Sequence, residues 1–153
     1  MVVVLACGLL LVCSVGVLLL RSRDTGPIPR NYSHGLDFQL YYPARLPSGY
    51  VVDPASFKRE DSVLIFSIKA PRGRTIAISE QAIPTRASHP TQSGPAPIAG
   101  ERSFQSNIGN VHISLWGDKY VSDVITDETW IILNVTGFTT DEATAVTQSF
   151  RKL

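Results

Sequence analysis

The sequence predicts an α+β protein, with an N-terminal transmembrane helix followed by an antiparallel β-meander sheet that carries a C-terminal helix packed on one face. Three observations predict this class: Val2–Leu20 is an unbroken apolar run, short alternating runs follow it, and a helix-capping pattern begins at Thr139. The 153 residues divide accordingly into a helix at 1–20, a linker at 21–36 and one small domain at 37–153.

The apolar run Val2–Leu20 is long enough to cross a membrane. As a helix it would span roughly 28 Å, close to a hydrocarbon core of about 30 Å, and a helix satisfies its own backbone groups in lipid. We therefore expect the lipid bilayer as a partner. A cleaved signal peptide, a buried core helix and a lipoprotein with its lipid on Cys7 are the alternatives.

The segment Arg21–Gly35 reads as a polar linker, and the pattern beyond it is typical of strands. Alternation predicts extended segments, which are Phe38–Tyr42, Tyr50–Val52, Ser62–Ala70, Arg74–Gln81, Glu101–Ile108, Val111–Leu115, Lys119–Thr126 and Thr129–Thr136. Ser62–Ala70 and Arg74–Gln81 form a predicted hairpin, with Ile76 and Ile78 inward. The proline-rich stretch Ala82–Gly100 lacks periodicity and predicts a long exposed loop.

A helix is predicted at the C-terminus. Thr139 and Glu142 have the spacing of a capping box, in which each side chain bonds the other residue's backbone N–H. Ala143, Val146 and Phe150, followed by Leu153, would then share one apolar stripe.

Composition and motifs argue against several functions. Lys and Arg total 14 against 13 Asp and Glu, and this balance gives no sign of a nucleic-acid partner. The two cysteines, Cys7 and Cys13, lie in the apolar run. The histidines, His34, His89 and His112, show no metal-ligand spacing, and no catalytic or cofactor-binding motif occurs. We therefore predict no catalytic, cofactor-binding or metal residues, and no cofactor.

A few residues of the predicted strands remain candidates for a surface role. His112, Ser114 and Trp116 fall on the face that the helix leaves uncovered. Asp123 is the carboxylate to inspect for burial, although alternation favours the solvent face. Trp116 and Trp130, with Tyr120, could line a ligand groove, but aromatic residues on strands more often pack against neighbouring strands.

Several short motifs resemble one family. They are Leu46–Tyr50, Arg74–Ile78 followed by Glu80 and Gln81, the strand Thr129–Leu133, and the acidic-capped helix Asp141–Phe150. Together they resemble an uncharacterised "LPxGY"-type bacterial domain that follows a transmembrane helix in cell-envelope proteins, including some anti-sigma-factor-like proteins. The resemblance covers roughly residues 38–153. It implies an extracytoplasmic α+β domain of unknown role, with no catalytic residues to transfer.

The orientation of the predicted membrane helix is contested. Arg21, Arg23 and Arg30 follow the apolar run, so the positive-inside rule would leave the domain in the cytoplasm. The resemblance implies the opposite side. We favour a single-pass protein of the cell membrane with an extracytoplasmic domain, and Met1 would then be a late start that omits a basic stretch.

The function predicted from the sequence is a non-enzymatic, membrane-anchored binding or interaction domain with a possible envelope protein partner. One alternative is an envelope-assembly component such as a pilin-like subunit, although Val2–Leu20 lacks the acidic residue that pilins use. A hydrolase is the other alternative, and it lacks a recognisable constellation of catalytic residues.

Overall fold

A computed structural model describes residues 26–84, 101–116 and 119–153, with the side chain of Trp116 excepted. Its helices are α1 (Arg30–Ser33) and α2 (Thr140–Gln148), and short 3-10 turns lie at Pro54–Ser56 and Pro71–Gly73. Its strands are β1 (Tyr41–Pro43), β2 (Val51–Val52), β3 (Lys58–Glu60), β4 (Val63–Lys69), β5 (Thr75–Ala82), β6 (Arg102–Gln105), β7 (Asn110–Trp116), β8 (Lys119–Ile125), β9 (Thr129–Asn134) and β10 (Phe150–Lys152).

One antiparallel sheet contains eight of these strands in the order β2-β4-β5-β9-β8-β7-β6, and β3 also pairs with β4. Strands β6 to β9 follow one another as a meander, but β5 pairs with β9 rather than with β6. The last strand of the meander therefore lies beside the β4–β5 hairpin. A separate ribbon pairs β1 with β10, near the two ends of the described chain.

One face of the sheet forms the core. Alternate residues of β4, β5 and β9 on this face are almost fully buried, and they are Leu64, Phe66, Ile68, Ile76, Ile78, Ile131 and Leu133. Burying side chains of this kind contributes about 1.5–3 kcal/mol each. Helix α2 covers the β7–β8 part of this face through buried Ala143 and Val146, and the hydroxyls of Thr147 and Ser122 lie 3.2 Å apart.

The start of α2 confirms the predicted capping box. The Thr139 hydroxyl accepts the Glu142 N–H at 3.2 Å, and the Glu142 carboxylate accepts the Thr139 N–H at 2.8 Å. The predicted continuation of the apolar stripe to Phe150 and Leu153 is wrong. The helix ends at Gln148 because Phe150 enters β10 and is fully buried there, while Leu153 is 51% exposed.

The predicted fold class also requires correction. The described chain is mostly antiparallel β-sheet, and its one helix longer than a single turn has nine residues, so the predicted α+β class, with its N-terminal transmembrane helix, is wrong for the residues that the structure describes. Within the described residues no helix is both long and apolar enough to cross a membrane. The run Val2–Leu20 lies outside those residues, as does most of the predicted loop, and its attachment to a bilayer stays a prediction.

Candidate functional site

Three chemically reactive side chains form a row across neighbouring strands. Ser103 of β6 lies directly opposite His112 of β7, and His112 lies directly opposite Asp123 of β8. Residues paired in this way project from the same face of a sheet with Cβ atoms about 4.5–5.5 Å apart. The row is on the face opposite the core, because Val111, Ile113 and Val124 alternate with it and are buried.

A tight turn sets the register between β6 and β7. The β6–β7 turn is organised by Ser106, whose hydroxyl donates to the Gly109 carbonyl at 2.9 Å and accepts the Ile108 and Gly109 N–H groups. Gly109 is required at this position because a Cβ there would lie 2.2 Å from the Ile125 carbonyl oxygen. The Asn107 amide donates to the Phe150 carbonyl at 3.0 Å, which ties the turn to β10.

The row borders an open groove of about 430 Å³ at this end of the sheet. Its walls combine polar and apolar groups, contributed by Ser103, Phe104, Gln105, Asn110, Val111, His112, Asp123 and Ile125. A volume of this size is in the range of small-ligand sites, which run from about 300 to 1,000 Å³. The groove can therefore accept one or two side chains of a partner or a comparable small molecule.

Asp123 is the carboxylate of the groove. It is half-buried, and its Oδ1 accepts the indole N–H of Trp130 at 3.1 Å. Burial raises the pKa of the Asp123 carboxyl, while the Trp130 hydrogen bond and the electrostatic effect of His112 act to lower it. Trp130 comes from the next strand, β9, and does not line the groove, so a residue outside the groove orients this carboxylate.

Ser103 and His112 are already in contact. The Ser103 hydroxyl oxygen lies 2.7 Å from His112 Nδ1, within hydrogen-bond distance. An imidazole that accepts the serine proton is the first requirement of nucleophilic serine chemistry. Within the described part of the chain, no group of three or more His, Cys, Asp or Glu side chains could hold a metal ion.

The structure places the other candidate residues as follows. Ser114 shares the outer face but is only 2% exposed, and Tyr120 packs partly buried against the core cluster. Trp130 supports Asp123 rather than lining the groove. His34 is exposed beside α1, whereas His89 and the side chain of Trp116 lie outside the described part of the chain.

The sequence interpretation considered Asp123 and His112 separately and missed their combination with Ser103. A signal was present, because His112 and Asp123 are equally distant in sequence from the turn at Gly117-Asp118. Similarly, Ser103 and His112 are symmetric about the turn that ends at Gly109. In a hairpin, residues that are equally distant from the turn lie opposite each other, so assigning both turns in the sequence would have placed all three residues side by side.

A second carboxyl, Glu80 of β5, lies on the core face. It is fully buried, its Oε2 accepts the Tyr41 N–H at 3.1 Å, and its Oε1 has no partner among the described residues. Leu64 and Ile131 flank it on the neighbouring strands. Burial raises its pKa to about 8, although the Tyr41 N–H acts in the opposite direction.

A third carboxyl, Glu142, lies at the start of α2 and has several partners. Arg74 donates to both of its oxygens, at 2.7 and 3.2 Å, and the Tyr50 hydroxyl donates at 3.1 Å. The Arg74 guanidinium also lies over the Phe138 ring, 4.4 Å from its centroid. Arg74 first, and the Thr139 N–H second, lower the pKa of Glu142 to about 2.

Comparison with known proteins adds no relationship to this description. The chain matches no protein-family model, and no curated protein or solved structure is significantly similar to it. The resemblance to the LPxGY-type envelope domain therefore stays a prediction.

Proposed function

We propose that this domain is a non-enzymatic interaction module that binds a segment of a partner polypeptide in the groove formed by β6, β7 and β8. The observation that supports the proposal is the composition of the groove: the hydrogen-bonding side chains Ser103, Asn110 and Asp123 stand beside the apolar Ile125 on the same face of the sheet. Binding sites for polypeptide segments combine such polar groups, which orient the ligand, with apolar surface, which contributes affinity.

The position of the groove also suits a polypeptide ligand. Among the described strands β6 is the last in the sheet order, so it has a neighbour on one side only. An edge strand offers backbone N–H and C=O groups to an incoming extended chain, while adjacent pockets recognise its side chains. Gln105 and Asn110 lie where β6 and β7 meet the turn, at the entrance to this edge.

Site-specific photo-crosslinking in the native host tests the proposal. A photoreactive phenylalanine analogue would replace Gln105 in the groove or, as the control, exposed Thr75 of β5. We expect a discrete adduct from position 105 alone, since only that position contacts the partner. The substitution Asn110→Trp, which fills the groove, should suppress the adduct.

The adduct pattern decides the matter. Equal adducts from positions 105 and 75, or an adduct that survives Asn110→Trp, would show contact unrelated to the groove. Absence of any adduct from position 105 would also count against the proposed function.

A second candidate function, ester hydrolysis, is favoured by the 2.7 Å contact between Ser103 and His112. In this reading the Ser103 oxygen bonds to the ester carbonyl carbon as its proton passes to His112 Nδ1. The proton then leaves with the alkoxide, and water cleaves the acyl-serine in a second step of the same kind. Asp123, opposite His112, would stabilise the protonated imidazole.

The two candidates differ in a direct assay. Hydrolysis requires that a fluorophosphonate probe label Ser103 and that p-nitrophenyl acetate be cleaved at a rate that Ser103→Ala and His112→Ala abolish. A binding module should resist the probe and show the same background cleavage in the wild type and both variants. Ser67→Ala, on β4 outside the groove, is the matched serine control.

A further inference from the structure

Asp123 differs from the other acidic side chains that make specific contacts on this domain's surface. Asp53, Asp141 and Glu142 each form an ion pair with a lysine or arginine, at N···O distances of 2.7–3.0 Å. Asp123 forms no such pair with any lysine or arginine of the described residues, although it is half-buried and its hydration is reduced. Within the described residues no lysine or arginine therefore compensates the charge of this carboxylate, and the electrostatic effect of His112 acts on it instead.

The groove around Asp123 is arranged to accept hydrogen bonds from a ligand. An ionised carboxylate has about four lone-pair positions, and the Trp130 N–H occupies one of them. Gln105 and Asn110, whose side-chain amides each carry an acceptor oxygen, line the same groove. Among the described residues that line it there is neither lysine nor arginine, so an entering cation would meet no permanent positive charge there.

The apolar part of the groove complements the stem of a basic side chain. Ile125 is half-buried on the outer face and lines it, and methylene groups of lysine or arginine bury favourably against such a surface while the charged end remains hydrogen-bonded. An ammonium or guanidinium group on a carboxylate forms charge-assisted hydrogen bonds, roughly twice as strong as neutral ones. The groove therefore matches both ends of a basic side chain.

We propose that the groove is a recognition pocket for a basic side chain of a partner polypeptide, with its cationic group bound by Asp123 and its methylene stem against Ile125. This inference rests on the proposed interaction function and specifies what that function recognises. Among the described residues, His112 of β7 is the other titratable group that faces Asp123, and Trp130 and Ile132 face it from β9. A protonated His112 would compete with the ligand for the same carboxylate.

Two matched peptides provide the test. Acetyl-Ala-Lys-Ala-amide and its norleucine counterpart differ by the ammonium group, and each would be titrated into the full-length ¹⁵N-labelled chain in detergent micelles. We expect the lysine peptide to shift the backbone amide signals of Ser103, His112 and Asp123 saturably. The norleucine peptide should bind at least about tenfold more weakly, since it cannot make the charge-assisted bonds.

A pair of variants isolates the carboxylate. Asp123→Asn keeps an oxygen that accepts the Trp130 N–H, so it should fold as the wild type does but bind both peptides equally weakly. Asp37→Asn removes one exposed negative charge from a residue that does not line the groove, and it should preserve the preference for lysine. In the wild type, bound lysine peptide should also lower the pKa of Asp123, read from its carboxyl carbon signal.

Three outcomes would overturn the inference. Equal affinity for the two peptides would remove the role of the cation, while groove binding itself would stand. An equal loss in Asp37→Asn and Asp123→Asn would assign the effect to net charge. A lysine peptide that leaves the groove signals unchanged at millimolar concentration would remove the pocket, and the crosslinking experiment would still judge the interaction function separately.

Discussion

Glu80 and Glu142 are the same residue type in opposite environments. Glu80 lies in the core, with one oxygen bonded to a backbone N–H and the other without a partner among the described residues. Glu142 lies at the surface start of α2, with Arg74, Tyr50 and the Thr139 N–H on its oxygens. The pKa of Glu80 is raised to about 8, and that of Glu142 is lowered to about 2.

The difference shows which physical effect controls each carboxyl. Loss of hydration disfavours the charged form and dominates at Glu80, where a single N–H cannot replace water. At Glu142 the hydrogen bonds and the positive charge of Arg74 favour the charged form, and water still reaches the site. Glu80 is thus neutral in the folded domain at pH 7, whereas Glu142 is ionised.

These shifts give the two residues opposite effects on stability as pH changes. The folded-state pKa of Glu80 lies above its ordinary value of 4.5, so its contribution is full below pH 4.5 and is lost as pH rises to about 8. The folded-state pKa of Glu142 is lower than that value, so its contribution is full above pH 4.5 and is lost as pH falls toward 2. Together they place a stability maximum near pH 4.5.

The largest effect is expected from Glu80→Gln, which removes the titration at the buried site. Between pH 5 and 8 the wild type should lose about 1.4 kcal/mol of unfolding free energy per pH unit through Glu80. The variant should lose that slope while its amide oxygen still accepts the Tyr41 N–H. Urea unfolding of the full-length chain at each pH provides the measurement, and exposed Glu60→Gln is the control. If the unfolding free energy of Glu80→Gln still fell with pH as in the wild type, titration of Glu80 would not be the cause, and the contrast with Glu142 would fail.

A smaller loss is expected from Glu142→Gln. The substitution removes the ion pair with Arg74 and weakens the reciprocal cap, so the unfolding free energy at pH 7 should fall by about 1–2 kcal/mol. The same denaturant experiment measures it, with Glu128→Gln in an exposed turn as the control. If Glu142→Gln proved as stable as this control, the contacts of Glu142 would contribute nothing measurable.

Thr139→Ala separates the cap from the ion pair. It removes the hydroxyl that accepts the Glu142 N–H and leaves the contact with Arg74 in place. We expect a loss of about 1 kcal/mol, the usual cost of an N-cap hydroxyl. Thermal unfolding monitored by circular dichroism checks it against Thr75→Ala, at an exposed position of β5. A loss equal to that in Glu142→Gln would mean that the cap accounts for the whole effect.

The smallest effect is expected from Tyr50→Phe, which removes one of the hydrogen bonds to Glu142 and keeps the ring, whose centroid lies 6.4 Å from that of Phe138. Stability should fall by less than about 1 kcal/mol, since Arg74 still holds the carboxylate. The pKa of Glu142 should rise slightly, because the Tyr50 hydrogen bond helps to lower it. Carbon-detected NMR titration of the Glu142 carboxyl measures this rise, and an unchanged pKa would assign the shift to Arg74 and Thr139 alone.

Several local features followed from the sequence alone. Alternation placed Ile76 and Ile78 inward, and the same period of two puts Glu80 on that face. The capping box at Thr139 and Glu142 was predicted because each group lies within three residues of its partner. Both features depend on neighbours along the chain, and these neighbours are visible in the printed sequence.

Other features required the tertiary structure. The sequence predicted a helix through Phe150, but pairing with β1, more than a hundred residues earlier, places that residue in a strand. The partner of β5 is likewise distant β9, and the Tyr41 N–H that reaches Glu80 comes from 39 residues away. The raised pKa of Glu80 also depends on these distant segments, because together they exclude water from its carboxyl group. Local periodicity and capping thus determined which faces and helix starts this chain would form, whereas distant chain contacts decided which groups lost water and which side chains met in the groove.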